Sequence, residues 1–139
     1  MPALAASALM LAGTAPPGVL DVSVEGLRNH TGVVRLCLTQ DPKTFPDCTD
    51  DSAARRLSMP ASATGPVVFG DLPSGEYAIS AFHDENGNAR LDTFARIPRE
   101  GFAFSRNPAL RFGPPRFADA AFAVTAAPLH QSIRMRYIL

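Results

Sequence analysis

Residues 83–92 read HDENGNARLD. Oxygen-bearing side chains recur at alternate positions, from Asp84 through Asn86 to Asn88, and Asp92 follows four residues later. Donors spaced this way in a tight loop can converge on one point, which is how a hard cation such as Ca²⁺ gathers its oxygen ligands. With Asp84 first, Asn86 is third, Asn88 fifth, Arg90 seventh through its carbonyl, and Asp92 ninth. That is the D-x-[DN]-x-[DN] opening of an EF-hand loop. Two positions then depart from it. Ala89 is sixth, where the sharp turn uses Gly, and Ala95 is twelfth, where a bidentate Glu belongs. A further ligand would come from Glu100 or Asp71; Glu100 is the better candidate, because the IPREG segment can lead the chain back. Two carboxylates and two amides predict weak affinity, about 10⁻⁴–10⁻³ M. The same residues also suit a polar turn, with Asp84, Asn86 and Asn88 bonding their own backbone as Asx-turns. The residues alone leave both readings open.

Other chemistry is sparse. His83 beside Asp84 is the one pair that suggests a hydrolase, but strand alternation places His83 on the face of Tyr77, Ile79 and Ala81. There a packed, hydrogen-bonded core-edge histidine is expected. His30 and His130 fall in expected turns. No G-x-S-x-G, H-E-x-x-H or phosphate-binding glycine loop occurs, and Ser105 in FAFSRN has no activating context. An enzyme is therefore not expected. Residues 93–117 carry no sustained period, yet they hold Phe94, Phe102, Phe104, Phe112 and Phe117. With Arg90, this stretch sets Arg96, Arg99, Arg106, Arg111 and Arg116 against Asp92 and Glu100. The alternative function is a carbohydrate- or small-anion-binding module built on Arg99, Arg106 and the phenylalanines. Against it, these arginines can be solvated or paired with Asp47, Asp50 and Asp51. Across the chain 13 Lys and Arg balance 13 Asp and Glu, so no global field favours nucleic acid.

The elements that must position these residues read as strands. In VLDVSVEGL, Leu20, Val22 and Val24 alternate with Asp21, Ser23 and Glu25, the period of a half-buried strand. Val34, Leu36 and Leu38 form a second inward row. DDSAARRLSMP is expected to hold one helical turn at most. Val67–Phe69 make a short strand. DLPSG is turn chemistry, with Pro73 presetting φ and Gly75 permitting a positive one. Tyr77, Ile79 and Ala81 then lead directly into the Asp/Asn loop. Two late strands follow, with Ala120, Phe122 and Val124 on one face, then Ile133, Met135, Tyr137 and Leu139. Six or seven short strands predict an all-β, antiparallel sandwich of immunoglobulin-like type. Residues 93–117 would form one long ordered loop across one end, its phenylalanines supplying area to bury.

Residues 1–17 read as a signal-like or disordered leader, apolar and small from Pro2 to Ala15, and too short for a transmembrane segment. Residues 18–139 would be a single domain. Cys37 and Cys48 are too far apart for a C-x-x-C pattern, and the intervening loop can fold back to join them in a disulfide. Such a bond belongs to an oxidising compartment. The expected location is therefore periplasmic, at the cell surface or secreted. The expected partner is a protein or glycan of the envelope.

The run GDLPSGEYAISAFHDENGNARLD, with IPREGFAFSRN and PPRFADAAF, resembles the bacterial domain-of-unknown-function family 2141 over roughly Leu20 to Leu139. The matching motifs are F-x-x-L-P-x-G-x-Y-A at Phe69–Ala78, HDxNxNxxxD at His83–Asp92, and IPxEG-aromatic-x-FS at Ile97–Ser105. The resemblance implies a small exported β-sandwich, prealbumin-like in style, whose structural relatives often carry an Asp/Asn cation loop. It implies no activity. The family usually has Gly where this chain has Ala89, and often where it has Ala103.

Overall fold

The computed structural model describes residues 15–94, 96–110 and 113–139. The expected leader falls almost wholly outside them, as do Ala95, Arg111 and Phe112. Among the described residues ten strands and one short helix follow in order: β1 Gly18–Glu25, β2 Val33–Thr39, β3 Arg55–Pro60, β4 Val67–Leu72, β5 Gly75–Asp84, β6 Thr93–Phe94, β7 Ile97–Pro98, β8 Phe102–Phe104, α1 Phe117–Ala120, β9 Phe122–Val124 and β10 Leu129–Arg134.

Two main sheets face each other. One runs β10-β1-β4; the other runs β3-β2-β5-β8, with β9 pairing the first residues of β5. All pairings are antiparallel except β1 with β10, where Leu20 lies beside Leu129 and Glu25 beside Arg134. The alternating apolar residues meet between the sheets: Leu20 and Val22, Val34, Leu36 and Leu38, Phe69 and Leu72, Tyr77 and Ile79, Phe122 and Val124, then Ile133 and Met135. Burying these rows is the main favourable term holding the sandwich. The all-β sandwich expected from the alternation is the fold.

Three local expectations are corrected. DDSAARRLSMP holds no helix: its second half is β3, an exposed edge strand paired with β2 from Val33–Pro60 to Leu38–Arg55. Its apolar row is only Leu57 and half-buried Met59, too short a period to read, so its partner makes it visible. The long loop is ordered as expected but is not one continuous excursion, because β6, β7, β8 and α1 subdivide it. His130 stands in β10 rather than in a turn, beside Asp21 and Ser132. A second, smaller cluster lies apart from the main core. Phe45 from the loop after β2 packs edge-on against Phe104 and Phe117, at 5.9 and 6.0 Å between ring centres, over Ala78 and Ala120.

The cysteine loop is closed as expected: Cys37 and Cys48 form a disulfide. Just beyond it Asp51 accepts from the Thr39 and Thr44 hydroxyls and the Ala53 amide, rather than from an arginine. The Thr39 bond leads the causes that hold the Asp51 carboxyl below its ordinary range.

Candidate functional site

Central strand β5 ends on Asp84, which is fully buried. Its Oδ2 accepts from Arg35 Nε at 2.7 Å and from the Ala89 amide at 2.8 Å; its Oδ1 accepts from the Asn88 amide at 3.1 Å. Burial alone would raise this carboxyl, but the Arg35 bond and charge and the two amides outweigh it and hold the pKa below the usual carboxylate range. Arg35 comes from β2, two residues beyond the position paired with Asp84. Asp84 is thus a strut inside the sheet end, with the turn folded round it.

The turn completes the pattern with its own groups. The Asn86 oxygen accepts from the Asn88 amide at 3.2 Å, and the Asn88 oxygen from the Arg90 amide at 2.9 Å. Ala89 takes φ of 62° and Gly87 φ of 71°, so the sixth position makes the left-handed bend although it lacks Gly. Asp92 is bracketed by two side-chain amides, Asn86 Nδ2 at 2.6 Å and Asn88 Nδ2 at 2.8 Å. Glu100 does return to the loop, as the IPREG segment suggests. It is buried, and it accepts from the Glu85 amide at 2.6 Å and the Asp92 amide at 3.0 Å. Asp71 stands in β4, where its carbonyl accepts from Arg55.

The structure therefore gathers Asp84, Asn86, Asn88, Arg90, Asp92 and Glu100 at one end of β5. It divides them into two kinds. Asp84 and Glu100 are buried and occupied by donors of the fold, whereas Asn86 and Asn88 are exposed and Asp92 is half-buried. Among the described residues, no group of three or more His, Cys, Asp or Glu side chains is placed to hold a metal ion. An open cleft of about 440 Å³ lies alongside, lined by Arg28, Glu85, Asn86, Asp92, Thr93, Arg99 and Glu100.

His83 is fully buried one residue earlier. Its Nε2 lies 2.6 Å from the Thr31 carbonyl and its Nδ1 2.8 Å from the Tyr137 hydroxyl. That hydroxyl also accepts the Arg28 amide, and Nε2, facing a carbonyl, carries a proton and donates to Thr31. Burial raises the Tyr137 phenol above its ordinary value. Arg28 stacks on the Tyr137 ring at 4.5 Å and donates to the carbonyls of Leu139 and Arg99 and to Glu85. Ser105 is equally occupied: its Oγ donates to the Ala120 carbonyl at 2.6 Å and accepts the Ile79 amide at 2.9 Å.

Arg99 and Arg106 are not brought together on a phenylalanine face. Arg99 lines the cleft before β8, while Arg106 follows β8 and donates to the Ala121 carbonyl. Phe102 is buried, and Phe104 packs into the second cluster. Nothing in residue type or spacing marks Arg28, Arg35, Glu85 and Tyr137 as parts of this end. Tyr137 could be placed on the inward face of the last segment, but its partner is set only by the packing of distant strands.

The fold and this end together define a class: a small all-β sandwich whose central strand opens into an Asx-rich loop backed by buried His83, half-buried Tyr137 and exposed Arg28. The chain belongs to the bacterial family described as "Uncharacterized protein conserved in bacteria (DUF2141)", whose model matches residues 22–132. No curated protein and no solved structure matches the chain.

Proposed function

We propose that the protein is an exported, non-catalytic β-sandwich module of the bacterial envelope, in which the Asp/Asn loop orders one end of the sandwich for a binding or structural role. The observation that carries this reading is the state of His83 and Asp84. A general base must come within hydrogen-bond reach of a substrate proton, and both side chains are fully buried. Here both His83 nitrogens face groups of the fold, and both Asp84 oxygens accept from Arg35 and loop amides. The Cys37–Cys48 bond supports an oxidising compartment. Expression of the gene with its own N-terminus, followed by cell fractionation and thiol labelling, tests the location. The protein should appear outside the cytoplasm with both cysteines blocked. A cytosolic, fully thiol-reactive protein would sink the reading.

A finer reading is that this loop binds a divalent cation weakly, Ca²⁺ by its all-oxygen ligand type. The supporting observation is that Asn86, Asn88 and Asp92 converge at the rim of the cleft. An Asn side chain offers either an oxygen or an NH₂ group to the same point by a half-turn. Asp92, Asn86, Asn88 and the Arg90 carbonyl would be the ligands. Asp84 and Glu100 would shape the backbone around them. Calcium titration of the full chain by calorimetry and thermal melting, beside an Asp92→Ala variant, tests it. Saturating calcium should raise the melting temperature of the parent only, as binding to the folded state alone requires. Unchanged melting and loop protease sensitivity would reduce the motif to a polar turn.

A further inference from the structure

We propose that Asn86 is a site of spontaneous deamidation, and that its conversion changes the chemistry of the Asp/Asn loop. The residue that follows is Gly87, which has no side chain to hinder attack by its backbone nitrogen. Gly87 holds φ of 71°, and an added Cβ would find no atom within 4 Å, so no neighbouring group shields the junction. Asn86 and Gly87 are both exposed. The Asn88 amide donates to Asn86 Oδ1 at 3.2 Å, which polarises the carbonyl to be attacked.

The step needs only water. The Gly87 nitrogen loses its proton and bonds to Asn86 Cγ. The Cγ–Nδ2 bond breaks, and Nδ2 leaves as ammonia after taking up a proton. Water then opens the resulting succinimide at either carbonyl, leaving aspartate or isoaspartate. No oxidation or reduction occurs.

The Nδ2 that leaves is the donor now bonded to Asp92 at 2.6 Å. Its replacement by a carboxylate sets two negative charges against each other at the rim of the cleft. It also adds a third acidic group to the alternating series, alongside Asp84 and Asp92. Without a cation the loop is repelled open; with one, the ligand set is stronger. This second consequence rests on the calcium reading above.

Ageing of the full chain at mildly alkaline pH and physiological temperature, followed by tryptic mapping with fragmentation and isoaspartyl methylation, tests the site. The peptide ending at Arg90 should gain the mass of an amide-to-acid conversion, located at Asn86. It should do so several-fold faster than peptides carrying Asn29 or Asn107, and Asn86→Gln should abolish it. An amide that persists in the folded chain while the urea-unfolded chain converts would overturn the proposal, as would conversion placed at Asn88. Asn86→Asp, compared with the parent in chelator and in calcium, tests the consequence. It should melt lower than the parent in chelator and gain more from calcium. Conversion at Asn86 with an unchanged calcium response keeps the modification and sinks the cation reading.

Discussion

Ala89 carries a left-handed backbone, φ of 62°, at the sixth position of the loop. An L-residue in that region costs about 1–2 kcal/mol because Cβ crowds the following carbonyl. Its amide is nonetheless held in place by Asp84. Ala89→Gly should therefore stabilise the protein by about 1 kcal/mol in urea unfolding, the relief of strain exceeding the added chain entropy. Asp84 makes a pH prediction. Its folded pKa lies below the unfolded value of about 3.9. The stability it contributes is complete above that unfolded value and is lost as pH falls through the lowered folded one. Glu85 acts in the same sense: burial pushes its carboxyl up, but bonds from Asn29 and Arg28 hold it lower. Urea midpoints followed into acid should fall below about pH 4. Asp84→Ala should weaken that fall while costing about 2–4 kcal/mol at neutral pH, because Arg35 and two amides lose their acceptor. Since Asp84 belongs to the buried end of β5, this variant perturbs the sheet as well as the loop.

At the scale of elements, the end of β5 is held by the β1–β2 connection crossing close over it. Gly32 lies there with φ of 75°, and a Cβ at that position would stand 2.2 Å from the Asp84 carbonyl and 2.8 Å from Glu85 Cα. Both are backbone atoms, so neither can swing aside. Gly32→Ala should cost more than about 2 kcal/mol, combining a left-handed alanine with a forced shift of the Asp84–Glu85 backbone. Gly65→Ala is the control: its φ is also positive, at 93°, but nothing lies within 4 Å. It should lose only the conformational part. Comparable losses in the two variants would show that the close crossing contributes nothing.

For the whole molecule, parallel pairing of β10 with β1 closes the three-stranded sheet and carries the C-terminal residues across to the loop end. Beyond β10, Arg136 pairs with Phe102 of the opposite sheet, and Tyr137 joins His83 to Arg28. Arg136 and Tyr137 thus tie the two sheets at the end that bears the cleft. Deleting Tyr137–Leu139 should leave the strand core folded. Amide hydrogen exchange should rise at Thr31, Gly32 and Glu85, with Leu36 and Ile79 unchanged. Equal exchange at every site would mean that this tie is dispensable.

What the chain alone determined is what depends on neighbours in sequence. Period-two alternation assigned the inward rows of β1, β2 and β5. DLPSG placed the turn before β5, where the Tyr77 hydroxyl bonds the Pro73 carbonyl. The short loop between Cys37 and Cys48 made their pairing readable. The Asx spacing of 84–88 was legible as a loop, and its oxygens bond the loop's amides. The tertiary structure alone decided which distant groups meet. Arg35 reaches Asp84 across 49 positions, and Tyr137 reaches His83 across 54. Alternation assigns a face to each residue, but strand register and sheet packing select its partner. Edge strand β3 depends on the same selection: its apolar row is only Leu57 and half-buried Met59, and its pairing with β2 makes it a strand.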